Sequence, residues 1–187
     1  MTATQLKAIH FGLIGFALIW PVVLVALRGR VRPLISGAVT LYASLALAVV
    51  FLPLPTASTP RLKQEIQLMP LQWVLDTVGG DLNAAKQVLL NVLLFVPLGI
   101  FARVLWRRTA RQALTIGFVA SLTIEVTQLS GNFGTAPFVY RIFDVDDLIT
   151  NTFGALLGYL LATAVAQSGV PQLMRVGSPA RDHALRG

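Results

Sequence analysis

Glu125 lies inside an apolar run, and Gln128, Arg141, Asp144, Asp146, Asp147 and Asn151 all follow it within the next 26 positions. An ionisable group in hydrocarbon costs several kcal/mol unless it is partnered, so an intramembrane carboxylate is a functional-site hypothesis by default. Ser121, Glu125 and Gln128 are spaced i, i+4, i+7 and share one helical face. Asp144, Asp147 and Asn151 follow the spacing i, i+3, i+7 across the start of the next apolar run, and Asn91 falls about one turn into the run before Glu125.

Several chemistries suit these residue types. Partial dehydration disfavours the charged form of a carboxylate, which would fit Glu125 for general acid or base work with Asp147 as its partner. Glu125 could equally accept hydrogen bonds from Asn91 or Asn151 and lock three helices together. Arg141 could contact a phosphate or carboxylate, or close a juxtamembrane salt-bridge cluster with the aspartates. Asp144, Asp146 and Asp147 are oxygen donors of the kind hard cations prefer. They lack the glycine and the spacing of a calcium loop, so no metal site is assigned. Asp147 also suits a helix N-terminus, where the dipole favours negative charge.

Composition says what must position these groups. The chain has 187 residues, of which 55% are hydrophobic and 12% charged, and its mean hydropathy is +0.72. Soluble domains carry about 25% charged residues, so this is a membrane composition. With no cysteine there is no disulfide framework, thiolate site or cysteine nucleophile. The two histidines, His10 and His183, stand at opposite ends of the chain, which argues against a Ser-His-Asp triad and a histidine-rich zinc site. There is no P-loop.

Five apolar runs are expected to cross the bilayer: Ile9–Leu27, Leu34–Leu54, Val88–Leu105, Ala113–Leu129 and Leu148–Ala166. The first is read as a retained helix, because Arg28, Arg30 and Arg32 follow it and no A-x-A site does. Loop charge sets orientation. Arg28, Arg30, Arg32, Arg103, Arg107, Arg108, Arg111, Arg175, Arg181 and Arg186 share one side; Lys7, Arg61, Lys63, Lys86 and Arg141 share the other. The side with more of them is cytoplasmic by the positive-inside rule. This distribution accounts for the net charge of +7 without nucleic acid.

The fold expected is thus an all-α bundle of about five transmembrane helices with an outer N-terminus and a cytoplasmic C-terminus. Residues 1–167 form one transmembrane domain and residues 168–187 a mobile cytoplasmic tail. In the long outer loop Pro55–Gln87, the stretch Gln67–Val78 is expected to form a short interfacial helix with Trp73 at headgroup depth. Pro97 should kink the third span. Gly154 and Gly158 form a G-x-x-x-G suited to close internal packing.

The ordered pattern Asn91-Val-Leu-Leu-Phe95-Val-Pro97-Leu-Gly99, Ser121-x-x-x-Glu125-x-x-Gln128 and Arg141-x-x-Asp144-x-x-Asp147-Leu-Ile-x-Asn151-Thr-x-Gly154-Ala-x-x-Gly158 resembles the VanZ-like membrane family, over residues 45–165. The family is named for a protein conferring low-level teicoplanin resistance in Gram-positive bacteria. The resemblance implies a small multi-pass protein of the bacterial inner or plasma membrane. It carries the family's characteristic polar residues onto Asn91, Glu125, Gln128, Arg141, Asp144, Asp147 and Asn151, and supplies no reaction or cofactor. The abundance of arginine and alanine suggests a GC-rich genome, where a generic envelope role transfers more safely than teicoplanin resistance. The expected function is binding, at an outward-facing polar pocket, of an amphiphile such as a lipid-linked glycan, a glycopeptide or an exopolysaccharide precursor. The alternatives are an enzyme using Glu125 and Asp147 on such a substrate, or a purely structural, partner-assisting role.

Overall fold

The computed structural model describes residues 3–27, 30–52, 54–56 and 59–168; of the tail expected at 168–187, all but Ser168 lies outside them. The elements are α1 (Ala3–Leu27), α2 (Pro33–Phe51), β1 (Ile66–Gln67), α3 (Gln72–Val78), α4 (Leu82–Val104), α5 (Ala110–Leu129), the one-turn α6 (Gly131–Gly134), β2 (Phe143–Asp144) and α7 (Val145–Gln167). The protein is an all-α membrane protein.

Among the described residues four stretches are long and apolar enough to cross a bilayer: Leu6–Leu27, Pro33–Phe51, Leu82–Val104 and Val145–Gln167. At 20 residues α5 is also long enough, but Ser121, Thr123, Glu125, Thr127 and Gln128 leave it less apolar than these four. Its direction supports a fifth crossing. Val92 and Val96 of α4 stand opposite Gly154 and Gly158 of α7, so these two helices run parallel. Along α5, Gly117 meets Thr152 and Ala155, Ser121 meets Asn151, and Glu125 meets Asp144, so α5 runs antiparallel to both. Two parallel spans with one helix between them require that helix to carry the chain back.

Local sequence explains the boundaries. Thr109 and Gln112 form a capping box at the start of α5. Asp81 caps α4 through the Asn83 N–H, so the helix begins at Leu82, six residues before the apolar run itself. Leu52 precedes Pro53, is forced extended (φ −115°, ψ 157°), and ends α2 at Phe51, short of the expected Leu54. Pro97 sits inside α4, which continues to Val104.

Packing depends on small residues. A Cβ at Gly154, Gly158 or Gly99 would overlap the backbone carbonyl of Val92, Val96 or Ala155 respectively. The G-x-x-x-G therefore serves internal packing of α7 on α4, where dispersion replaces the missing hydrophobic drive between helices in lipid. The hairpin of α1 and α2 joins through Gly12 against Leu45 and Gly37 against the Trp20 ring. It touches the rest more lightly, through the Tyr42 hydroxyl donating to the Leu94 carbonyl at 3.0 Å.

These directions gather the C-termini of α2 and α5 and the N-termini of α4 and α7 at one end of the bundle. Arg30, Arg32, Arg103, Arg107, Arg108 and Arg111 lie at the other. The interfacial segment differs from expectation. Only Gln72–Val78 is helical, and β1 pairs in parallel with β2, with Phe143 N–H donating to the Glu65 carbonyl at 2.8 Å. The strap fixes the long loop against the start of α7.

Two outcomes follow. Because the chain has no cysteine, single-cysteine variants report topology cleanly. Thr59→Cys should react with a membrane-impermeant maleimide in intact cells, and Arg111→Cys only after permeabilisation; the reverse would invert the assigned orientation. Gly158→Leu should lower the thermal midpoint of the detergent-solubilised protein, an overpacking cost of about 1–3 kcal/mol.

Candidate functional site

The first turn of α7 distributes its carboxylates to three different parts of the protein. Asp144 accepts from the Asp146 N–H at 2.8 Å and caps α7 itself. Its own N–H donates to Glu125 Oε2 on α5 at 3.0 Å. Asp146 reaches outward and accepts from the N–H groups of Leu71 (2.6 Å) and Trp73 (3.1 Å), the unpaired donors at the start of α3. Leu71 is held left-handed (φ 63°) to permit this. Asp147 accepts at Oδ1 from Asn91 of α4 at 2.5 Å, with Gln87 at 3.5 Å. Burial raises the Asp144 carboxyl above the ordinary aspartate range, and the Asp146 N–H opposes this.

A second layer lies one turn deeper. Asn151 Nδ2 donates to Ser121 Oγ at 2.9 Å, tying α7 to α5. Glu125 is 1% exposed and Ser121 is fully buried. Asn91, Glu125, Asp144, Asp147 and Asn151 are brought together at one end of the bundle, in two adjoining layers.

Other donors serve the open end of α2. Its last carbonyls have no intrahelical partner. Gln128 donates to Val50 (3.1 Å), and both Asn132 (3.2 Å) and the Tyr140 hydroxyl (2.9 Å) donate to Phe51. Arg141 donates to Val49 at 3.4 Å. The tight turn at α6 makes this possible, with Asn132 and Phe133 both left-handed (φ 55° and 59°). Gln128, expected among the ligand contacts, lines the cavity that these groups enclose and donates one amide N–H to α2. Of the two alternatives for Arg141, the salt-bridge cluster with the aspartates is not formed among the described residues. Arg141 instead spans Val49 and the face of Tyr140, and its Nε has no partner.

These groups enclose a cavity of about 530 Å³ at this end of the bundle, within the range of small-molecule sites. Asn91, Glu125, Gln128, Arg141, Asp144, Asp146, Asp147 and Asn151 all line it. So do Asp76 and Asp81, which sequence reasoning missed; nothing in their spacing foretold that the long loop would fold back over the bundle. Trp73 also lines the cavity. Among the described residues no group of three acidic or histidine side chains is placed to hold a metal ion. This agrees with the backbone duties of Asp144 and Asp146.

Fold and site together define a multi-pass membrane protein with an acidic cavity at one end of its helical bundle. The VanZ/LLP1 family model matches residues 39–166, and the chain belongs to that family. The match begins within α2, so α1 lies outside it. No curated protein and no solved structure matches the chain.

Asp146→Ala should free α3, because removal leaves two backbone donors without an acceptor, at about 1–3 kcal/mol. Hydrogen exchange should quicken at residues 71–78 while α4 and α7 keep their protection.

Proposed function

We propose that the cavity binds the headgroup of an amphiphile at the outer surface of a bacterial plasma membrane. One observation carries this reading. Of the eight acidic residues in the chain, six (Asp76, Asp81, Glu125, Asp144, Asp146 and Asp147) line a single cavity. The chain has 15 lysines and arginines, yet among the described residues Arg141 is the only one of them in the lining. Such a wall favours hydroxyls and amines, and Arg141 supplies one place for a phosphate or carboxylate. Lipid-linked glycans, glycopeptides and exopolysaccharide precursors carry these groups on an apolar anchor. Asn91, Gln128, Arg141, Asp144 and Asn151 form the binding wall in this reading.

A second reading makes Glu125 and Asp147 an acid–base pair acting on the same headgroup. The observation favouring it is that both carboxylates line the cavity, and among the described residues Glu125 keeps one oxygen free of donors. Ligand retention and turnover separate the two: a Glu125→Gln protein that holds the ligand and accumulates it unconverted supports the enzyme.

The binding reading is tested by lipids co-purifying from the native membrane. The wild-type chain should retain one headgroup class at least tenfold above the double variant Glu125→Gln, Arg141→Gln, measured by mass spectrometry at equal expression. An unchanged lipid profile, with wild-type function kept in that variant, overturns both readings in favour of an architectural role.

A further inference from the structure

The deep wall of the cavity has a specific imbalance: among the described residues three of its acceptor atoms have no donor. Asn151 is 4% exposed, and its Oδ1 has no hydrogen-bond partner although its Nδ2 is engaged with Ser121. Glu125 accepts only at Oε2, from Asp144 N–H, which leaves Oε1 without a donor. Asp147 receives both Asn91 and Gln87 at Oδ1, and no donor reaches Oδ2. These three atoms belong to adjoining turns of α5 and α7. Ser121 holds those turns together by accepting from Asn151 and donating to the Asp147 carbonyl at 3.4 Å.

Asn151 Oδ1 is buried without a donor, which costs about 1–3 kcal/mol, and Glu125 Oε1 and Asp147 Oδ2 are open to the cavity beside it, so the wall suits a partner rich in donors. The partner must bring several donors and positive charge, since two of the acceptors are carboxylates. Resident metal chemistry fits poorly, as the described acidic side chains do not converge in a group of three. A neutral hydroxyl brings one donor and no charge. A primary ammonium has three N–H donors, no acceptor and one positive charge. Trp73 adds an aromatic surface to the same cavity.

We propose that the cavity recognises a primary ammonium group, seated against Glu125, Asp147 and Asn151, on a headgroup whose anionic part meets Arg141. This rests on the headgroup-binding reading and narrows it. Arg141 suits the second part because its Nε is unpartnered and its single protein hydrogen bond is long, at 3.4 Å. The ammonium can arrive on a lipid headgroup or on a soluble amino sugar, and the test separates these sources.

The full chain is placed in phosphatidylcholine nanodiscs, whose quaternary ammonium has no N–H donor. Equal amounts of phosphatidylethanolamine, its N-acetylated form and phosphatidylglycerol are added, and retained lipid is counted by native mass spectrometry. Phosphatidylethanolamine should exceed its N-acetylated form at least tenfold, and Asp147→Asn or Glu125→Gln should each reduce that ratio towards one. Because the central comparison uses two ligands on the wild-type chain, it survives a variant that fails to fold. If free glucosamine protects the cavity from heat while N-acetylglucosamine does not, and no lipid is preferred, the ammonium stands and its source is soluble. Equal retention of all three lipids, with glucosamine and N-acetylglucosamine equivalent, overturns the ammonium while leaving headgroup binding in place. Failure to hold any of these probes overturns both.

Discussion

The cavity end of this protein depends on the first turn of α7, where Asp144, Asp146 and Asp147 stand close together at the edge of hydrocarbon. Each takes hydrogen bonds from a different place: Asp144 from α7 itself, Asp146 from the amides of α3, Asp147 from Asn91 on α4. The Asp144 N–H then holds Glu125 of α5. Like charges this close repel, and the arrangement persists because amide donors satisfy the carboxylates where water would otherwise be needed. Loss of one contact would release an element, which is why the polar residues cannot be sorted simply into architecture and function.

The same constraint explains α2. Its terminal carbonyls face the bundle at the membrane edge, and four side chains from the far half of the chain supply donors. This seam ties the N-terminal hairpin to the family core, where direct helix packing is sparse. It also engages Gln128 and Arg141, narrowing their freedom to serve a ligand. Arg141 keeps the greater reserve, with an unpartnered Nε beside the cavity.

Behind this polar end, glycines let α4 and α7 approach to backbone contact. The parallel pair forms a rigid floor, and α5 lies antiparallel along it. A site built on such helices holds its acceptors in place without a ligand, and the folded protein bears the cost of the buried, unmatched Asn151 Oδ1. That is the physical basis for expecting an occupant.

Much was legible in the residues alone. Apolar length marked the spans, arginine clusters gave them an order, and a carboxylate at i+4 from Ser121 in hydrocarbon had to find company. From those constraints Asn91, Glu125, Asp144, Asp147 and Asn151 could be placed at one depth. Hydropathy reads one helix at a time, however, and cannot say which donor meets which acceptor. The strapping of the long loop onto β2, the capping of α3 by a residue 75 positions away, and the arrival of Asp76 and Asp81 at the cavity are all non-local. The same holds for Gln128 and Arg141, whose types suggested a ligand or a salt bridge and whose neighbours turned out to be the carbonyls of α2. Periodicity determined the helices and their faces because the bilayer imposes that pattern locally. Only tertiary structure decided the pairing, because hydrogen bonds are satisfied by whatever the whole chain brings within 3 Å or so.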